Sequence, residues 1–501
     1  MFGVTLEKWY STPVLLCPGM SEVGISAGRL IGNTVASGDT TVHVFKGVPY
    51  ASAARFQAPT AVTSWTGTRD ATEFSPAAPQ PIGGPLDGLV PGGYAGPIDE
   101  HTCLTLNVWT PNPSASSSRP VLVWFPGGAF TTGAASQPVY DGARFGAEQD
   151  VVIVTCNYRL GALGFLDTRA AGGVANCGLR DSIAALEWVR DNIASFGGDP
   201  ARVTAFGESA GGGIVLHLCA SPRARGLFSG AIAQSGATFN TLDPARAALV
   251  LDSLLAELGL ADSKLLGDMP VAEVLRAQTT AAGVLLGTVG MMPFHPMVDG
   301  DVLPAAPVDA LAAGAVAGVP LVIGTTTDEM RLFLDLSGPP PPRDKLCTRV
   351  ARAVGVDAAR GDAIVATYEA ALATRDTNEI WAAVFSDIQM QVPADAMRAA
   401  HRAQGPTFSY LFGRPAVNPL LGACHGIDIP FTFGNFVDGW AEFVGLDAGV
   451  EAAGRAIREA WATFARTGNP GWPESPATMT FGRDTFVAHD PLRARLASLA
   501  K

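Results

Sequence analysis

Val203-Thr204-Ala205-Phe206 runs directly into Gly207-Glu208-Ser209-Ala210-Gly211-Gly212-Gly213, and IVLHLC (214–219) follows with helical character. A short β-branched run, a G-x-S-x-G turn and a helix in succession form a nucleophile elbow. The turn is tight, so the residues two before and two after the serine must be nearly free of side chain. The Ser209 hydroxyl is thereby pushed out above the C-terminal edge of a sheet, where the N-terminus of the next helix favours developing negative charge. The competing reading, a glycine-rich turn with an N-capping serine, accounts for the turn but not for the strand before it.

Further short apolar runs read as buried strands: Val121–Phe125, Val151–Thr155 and Leu321–Ile323. Between two of them, Ile183, Leu186, Val189, Ile193 and Phe196 recur at steps of three and four, which predicts a helix over 179–196. Near-continuous apolar strands alternating with amphipathic helices imply an α/β fold, with a mostly parallel central sheet covered by helices on both faces. Gln80 to Pro97 is dense in Gly and Pro and reads as a surface loop able to act as a lid. Pro339–Pro342 makes another break. Beyond it, Ala351–Arg402 is Ala-rich and helical in pattern, and Glu451–Arg466 reads as a helix ended by Gly468-Asn469-Pro470. A length of 501 residues suits about three domains at 150 residues each. One large domain over 1–501, with helical insertions near 240–320 and 340–405, fits equally well and is the expectation taken here.

Composition removes several functions. The chain is 48% hydrophobic and 16% charged, too apolar for a solvated coil. Its 34 basic and 46 acidic residues leave a net charge of −12, which gives no cationic surface for nucleic acid. Heavy use of Ala, Gly, Pro and Arg with only five Lys fits a GC-rich, bacterial genome. The opening MFGVTLEKWYSTPVLLCPGM has a five-residue apolar stretch where a signal peptide needs roughly 7–15. The longest uncharged run, Ala277–Val298, is broken by Gln, Thr, Gly and Pro, so no membrane span is expected. Seven scattered Cys form neither a disulfide framework nor a zinc site, and most read as small buried hydrophobes. A protein of the cytoplasm, monomer or homodimer, is expected.

A serine nucleophile needs a base and an acid, and behind such an elbow they follow in the order serine, acid, histidine. Order leaves His401, His425 and His489. His401, within AMRAAHRAQ, reads as an exposed helix residue, and His489 as a surface residue of the tail. His425 lies in the small-residue loop Gly422-Ala423-Cys424-His425-Gly426 and can reach over a sheet edge. Its ordinary pKa suits taking and returning a proton near neutrality. The strand ending at Gly324 is followed by Thr325-Thr326-Thr327-Asp328-Glu329, which offers two carboxylates, and the residues alone do not choose between them. Trp124-Phe125-Pro126-Gly127-Gly128-Ala129-Phe130 leaves a strand for a glycine turn whose N–H groups can face an alkoxide.

Taken together, FKGVPYA (45–51), CLTLNVWTP (103–111), PVLVWFPGGAF (120–130), NYRLGALGFL (157–166), GLRDSIAALEWVRDNIASFGGDPARVTAFGESAGG (178–212), AQSGA (233–237), TDEM (327–330) and HGIDIPFTFG (425–434) closely resemble the type-B carboxylesterase family. That family includes the cholinesterases and bacterial para-nitrobenzyl esterase-like enzymes. The resemblance implies an α/β-hydrolase fold, with Ser209 as nucleophile, His425 as base and Glu329 rather than Asp328 as the acid. It implies oxyanion donors at Gly128, Ala129 and Ala210, and supporting roles for Glu208 and Ser235 beside the acid and histidine. No metal or cofactor is implied. The partner is a small-molecule ester, hydrolysed through an acyl-enzyme.

Several positions depart from the family pattern. PGGAF stands where HGGGF is common, so Pro126 removes a histidine and an N–H, and Ala129 replaces a glycine while keeping its N–H. Ala78 stands where secreted relatives have the cysteine that pairs with position 103. No Trp occurs between Ser75 and Thr102, so a choline-holding aromatic cage is not expected. Met330 replaces a usual glycine. Small to medium aryl or alkyl esters are the expected substrates, with Phe130, Phe239 and Phe294 as candidate pocket walls. The rivals are an amidase or aryl-carbamate hydrolase using the same groups, a lipase, and a catalytically dead cholinesterase-like binding protein.

Overall fold

The computed structural model describes residues 19–83, 88–237 and 240–500. The start of the chain with Cys17, part of the Gly/Pro-rich loop, and Phe239 lie outside the described residues. A 13-stranded sheet runs through the molecule. Its principal strands are β1 (Met20–Ile25), β2 (Gly28–Ser37), β3 (Thr40–Pro49), β4 (Thr105–Thr110), β5 (Arg119–Phe125), β6 (Val152–Cys156), β7 (Gly198–Glu208), β8 (Gly230–Gln234), β9 (Leu321–Thr326), β10 (Thr407–Phe412), β11 (Ala477–Phe481) and β12 (Phe486–His489). Their order is 1-2-3-4-6-5-7-8-9-10-11-12. From β6 to β11 every pairing is parallel, and the antiparallel strands lie toward the two edges.

Alternation along the strands explains why they are apolar throughout. Val121, Val123 and Phe125 pack into one core, and Leu122 and Trp124 into another across the sheet. The pattern repeats at Leu321 and Ile323 against Val322. Successive side chains of a strand point to opposite faces, so a sheet buried on both sides needs apolar residues at every position. The helices that cover it include Cys177–Asn192, continued by a 3₁₀ turn Ile193–Phe196, and Ala448–Thr467, closed by Gly468 in the left-handed region. Between β9 and β10 the chain forms Arg343–Val354, Ala358–Leu372, Thr377–Ser386 and Val392–Arg402. No helix among the described residues is long and apolar enough to cross a membrane.

Two expectations need correcting. His401 is not an exposed helix residue: it is fully buried, and its Nδ1 lies 2.8 Å from Thr407 Oγ1. Its helix packs against β10, and Ala394, Met397 and His401 recur at steps of three and four on one buried face, which carries the histidine inward despite its polarity. The segment from Gln80 is also not all surface. Gln80 is buried, and its amide donates to Gly133 O at 2.9 Å while accepting from Gly133 N–H at 2.8 Å, which ties the loop to the turn after β5. Phe294 is fully buried in a core of Ala, Leu and Val side chains.

In parallel strands the registers Glu208↔Gln234 and Gln234↔Gly324 bring the carboxyl ends of β7, β8 and β9 level. The next residues of these strands and their turns are Ser209, Ser235 and the pair Asp328-Glu329. The crevice beyond the carboxyl ends of such strands is where α/β sheets place their sites.

Candidate active site

Ser209 adopts φ 56°, ψ −124° between β7 and the helix Ala210–Ala220. A Cβ at Gly211 would collide with Phe125 O, so the helix can approach β5 this closely only with glycine there. Ser209 N–H donates to Gln234 O and Ser209 O accepts from Gly213 N–H, both at 2.8 Å, and these bonds hold the strained residue in place. Its side chain remains partly exposed beside otherwise buried neighbours.

The histidine arrives from a loop more than two hundred residues downstream. His425 Nε2 lies 2.7 Å from Ser209 Oγ, and His425 Nδ1 lies 2.6 Å from Glu329 Oε2. Glu329 opens a 3₁₀ turn just past β9 and is fully buried. Its second oxygen, Oε1, accepts from Ser235 Oγ at 2.6 Å and from Thr326 N–H at 2.8 Å. The neighbouring Asp328 does something else. It accepts from Ala423 N–H at 3.0 Å and from Thr327 Oγ1 at 2.8 Å, and it faces Arg331 at 3.2 Å. Asp328 therefore ties down the loop that carries His425 and does not touch the imidazole by hydrogen bond.

A second carboxylate lies close to the imidazole. Glu208 Oε1 is 3.3 Å from His425 Nε2, is buried, and accepts no hydrogen bond among the described residues. Burial pushes Glu208 up to about 8, against the pull of His425. For His425 burial acts downward, but the carboxylates of Glu208 and Glu329 outweigh it and raise the imidazole to about 9. The two shifts have different causes, desolvation at Glu208 and nearby carboxylate charge at His425. Deeper in, Asp428 Oδ2 accepts from Gln234 Nε2 at 2.9 Å and Tyr410 OH at 3.0 Å, and burial raises it to about 6. Gln234 and Asp428 lie within AQSGA and HGIDIPFTFG, but nothing along those stretches shows that their side chains meet, and Tyr410 comes from a third element, β10. Phe333, half-exposed, places its ring centroid 5.6 Å from that of His425.

The turn after β5 abuts Ser209. A Cβ on Gly127 would sit 3.1 Å from Ser209 Cβ. Gly128, Ala129 and Phe130 follow with φ of 116°, 54° and 60°. This turn is pinned by Thr131 and Thr132 N–H donating to Gly128 O at 3.0 and 2.9 Å, and by Tyr158 OH donating to Pro126 O at 2.7 Å. Holding Ala129 in the left-handed region costs about 1–2 kcal/mol. The N–H groups of Gly128, Ala129 and Ala210 donate to no other described residue. No group of three or more His, Cys, Asp or Glu able to hold a metal ion occurs among the described residues.

Residues 20–481 match the model of the carboxylesterase family. Among curated proteins, the para-nitrobenzyl esterase of Bacillus subtilis is 35% identical over 485 residues, covering 93% of this chain and 95% of that protein. The phenmedipham hydrolase of Pseudarthrobacter oxydans is 35% identical over 88% of this chain and 90% of its own length. Among solved structures, a para-nitrobenzyl esterase superposes with a TM-score of 0.82 at 33% identity over 96% of this chain and 99% of that one. A Geobacillus stearothermophilus carboxylesterase gives 0.81 at 34% identity, covering 96% of this chain and 100% of its own.

Proposed function

This chain belongs to the carboxylesterase family and is a carboxylic ester hydrolase of the α/β-hydrolase fold, and on that premise we propose that it works through an acyl-enzyme on Ser209. The supporting observation is the unbroken relay Ser209 Oγ–His425–Glu329, with contacts of 2.7 and 2.6 Å. His425 Nε2 takes the hydroxyl proton as Ser209 Oγ attacks the ester carbonyl. Glu329 fixes the ring's orientation and steadies the cation that forms. The tetrahedral oxyanion rests on the N–H groups of Gly128, Ala129 and Ala210. His425 then passes its proton to the departing alcohol, and water repeats the two steps on the acyl group.

The substrates in this reading are small to medium aryl or alkyl esters, with the half-exposed Phe333 ring as an apolar wall beside the base. The protein acts in the cytoplasm as one domain. Its six described cysteines are all buried and unpaired, as in a reducing compartment. A second reading, hydrolysis of amides or aryl carbamates by the same groups, draws on the relative named phenmedipham hydrolase. Turnover of a p-nitrophenyl ester, the matching anilide, an aryl carbamate and phenmedipham is compared on one preparation. The ester is expected to be fastest, and a faster carbamate or anilide reverses the assignment.

Two consequences concern groups around the relay. A Cβ on Gly128 would collide with Thr132 O, so Gly128→Ala displaces the turn and its donors. Its turnover is expected to fall about 10²–10³-fold with burst labelling of Ser209 retained, as read by stopped-flow. The second concerns pH. His425 serves as a base only when neutral, so activity is lost as pH falls through its pKa. Because Glu208 and Glu329 raise that value above 6.5, toward about 9, the acid limb of kcat/KM is expected above the ordinary imidazole range. Glu208 contributes most to that rise, so Glu208→Gln should move the limb down by about one pH unit. An unmoved limb in the pH–rate profile would show that Glu208 does not act on the imidazole.

A further inference from the structure

The helix Thr377–Ser386 does not simply continue into Val392–Arg402: between them Asp387–Gln391 forms a π-helical turn. Pro393 in the second position of the later helix explains the break. It offers no N–H, and its ring would crowd the carbonyl four residues earlier. The wider turn directs Ser386, Asp387 and Gln391 inward, and all three are buried.

Two of these residues grip the turn that carries Glu329. Ser386 Oγ accepts from Met330 N–H at 3.0 Å, immediately after Glu329. Gln391 Nε2 donates to Thr326 O at 3.2 Å, and Thr326 N–H is the group that donates to Glu329 Oε1. The third, Asp387, lies between them and faces the chain's last helix, Arg493–Leu499. Arg495 meets its carboxylate through two bonds, Nε to Oδ2 at 2.9 Å and Nη2 to Oδ1 at 2.7 Å. Tyr368 OH donates to Oδ2 at 2.6 Å, and the Arg495 guanidinium lies 5.3 Å from the Tyr368 ring centroid. A bidentate guanidinium–carboxylate pair fixes orientation as well as distance. The residues that hold Glu329 from either side are thus set by an ion pair to the C-terminal helix.

We propose that Arg495 and Asp387 are positioning residues for ester hydrolysis, clasping the C-terminal helix to the π turn so that Ser386 and Gln391 hold Glu329 against His425. The proposal rests on Glu329 being the acid. When the clasp opens, the π turn relaxes and both grips lengthen. Glu329 then drifts from Nδ1, so the imidazole loses both its orientation and part of the support that keeps it basic.

The test uses full-length protein carrying Arg495→Met, Arg495→Lys, Gln391→Leu or, as a control, Glu329→Gln. Arg495→Met is expected to lower kcat about tenfold with KM within twofold, since small displacements of a catalytic group cost this order. The acid limb of kcat should move to lower pH, and Arg495→Lys should restore most of both. A helix contributing to stability alone would lower the thermal midpoint and leave that limb in place. Gln391→Leu removes one grip without touching the ion pair, and a smaller effect of the same kind is expected. It decides the matter should Arg495→Met fail to fold. Folded Arg495→Met or Gln391→Leu protein with wild-type kcat and an unmoved limb, beside an inactive Glu329→Gln, overturns the clasp alone. An active Glu329→Gln overturns the acid assignment beneath it.

Discussion

Replacing Ser209 with alanine is expected to lower turnover of a p-nitrophenyl ester about 10⁶-fold, equivalent to about 8 kcal/mol of transition-state stabilisation. The residual rate should remain above that of water, because the proposed donors at Gly128, Ala129 and Ala210 would still receive the oxyanion. The loss should be in kcat, with substrate binding little changed, since the hydroxyl forms its bond only during reaction. The folded state should be unaffected: the backbone bonds of residue 209 to Gln234 and Gly213 do not involve the side chain. Intact-mass measurement after treatment with an organophosphate supplies the direct check. The wild-type chain is expected to gain one adduct, located on Ser209 after digestion, and Ser209→Ala to gain none. An adduct on Ser209→Ala, or unchanged turnover, removes the nucleophile assignment.

Glu329→Gln is expected to cost about 10⁴-fold in kcat, near 5.5 kcal/mol, while keeping the size of the side chain. The amide presents either an N–H or a neutral oxygen to His425 Nδ1, so the ring is held in the wrong tautomer or loses the negative charge that steadies its cation. Its neighbour is the contrast. Asp328→Asn keeps one oxygen to accept from Ala423 N–H and alters no bond to the imidazole. It should reduce kcat less than about tenfold and lower the thermal midpoint by a few degrees, as loss of a surface-side ion pair with Arg331 and a loop tie would. Steady-state kinetics of the two variants side by side decides the roles. Equal large losses would mean that both carboxylates are needed, and equally small losses that either can serve the histidine.

Much of the site can be read along the chain because a nucleophile elbow is local. Five consecutive residues impose the turn at Ser209, and the glycine turn at 127–128 imposes another; both are constrained by backbone sterics within a few residues. The strands are legible for the same reason, since burial on both faces demands apolar residues at each step, as at Val121–Phe125. The clasp was not legible. Arg495 is one of many arginines in a tail without pattern, and Asp387 is one acid in an Ala-rich helical stretch. His401 is a different case: Ala394, Met397 and His401 share one buried helix face at steps of three and four, and polarity taken by itself assigns the histidine to the solvent side.

The amino-acid sequence by itself determined that a strand, a sharp turn and a helix would present Ser209 at a sheet edge, and that His425 would come from a small-residue loop. Spacing left Asp328 and Glu329 as equals, for both follow the same strand, one residue apart, and only the family resemblance pointed to Glu329. Tertiary structure separated them. The 3₁₀ turn aims residue 329 inward, where Ser235, Thr326 N–H and His425 converge on one carboxylate, and it turns residue 328 toward Ala423 and Arg331. The physical reason is that a carboxylate's role depends on which donors surround it, and those donors come from segments separated by tens to hundreds of residues. Only the packed chain brings them within hydrogen-bonding distance.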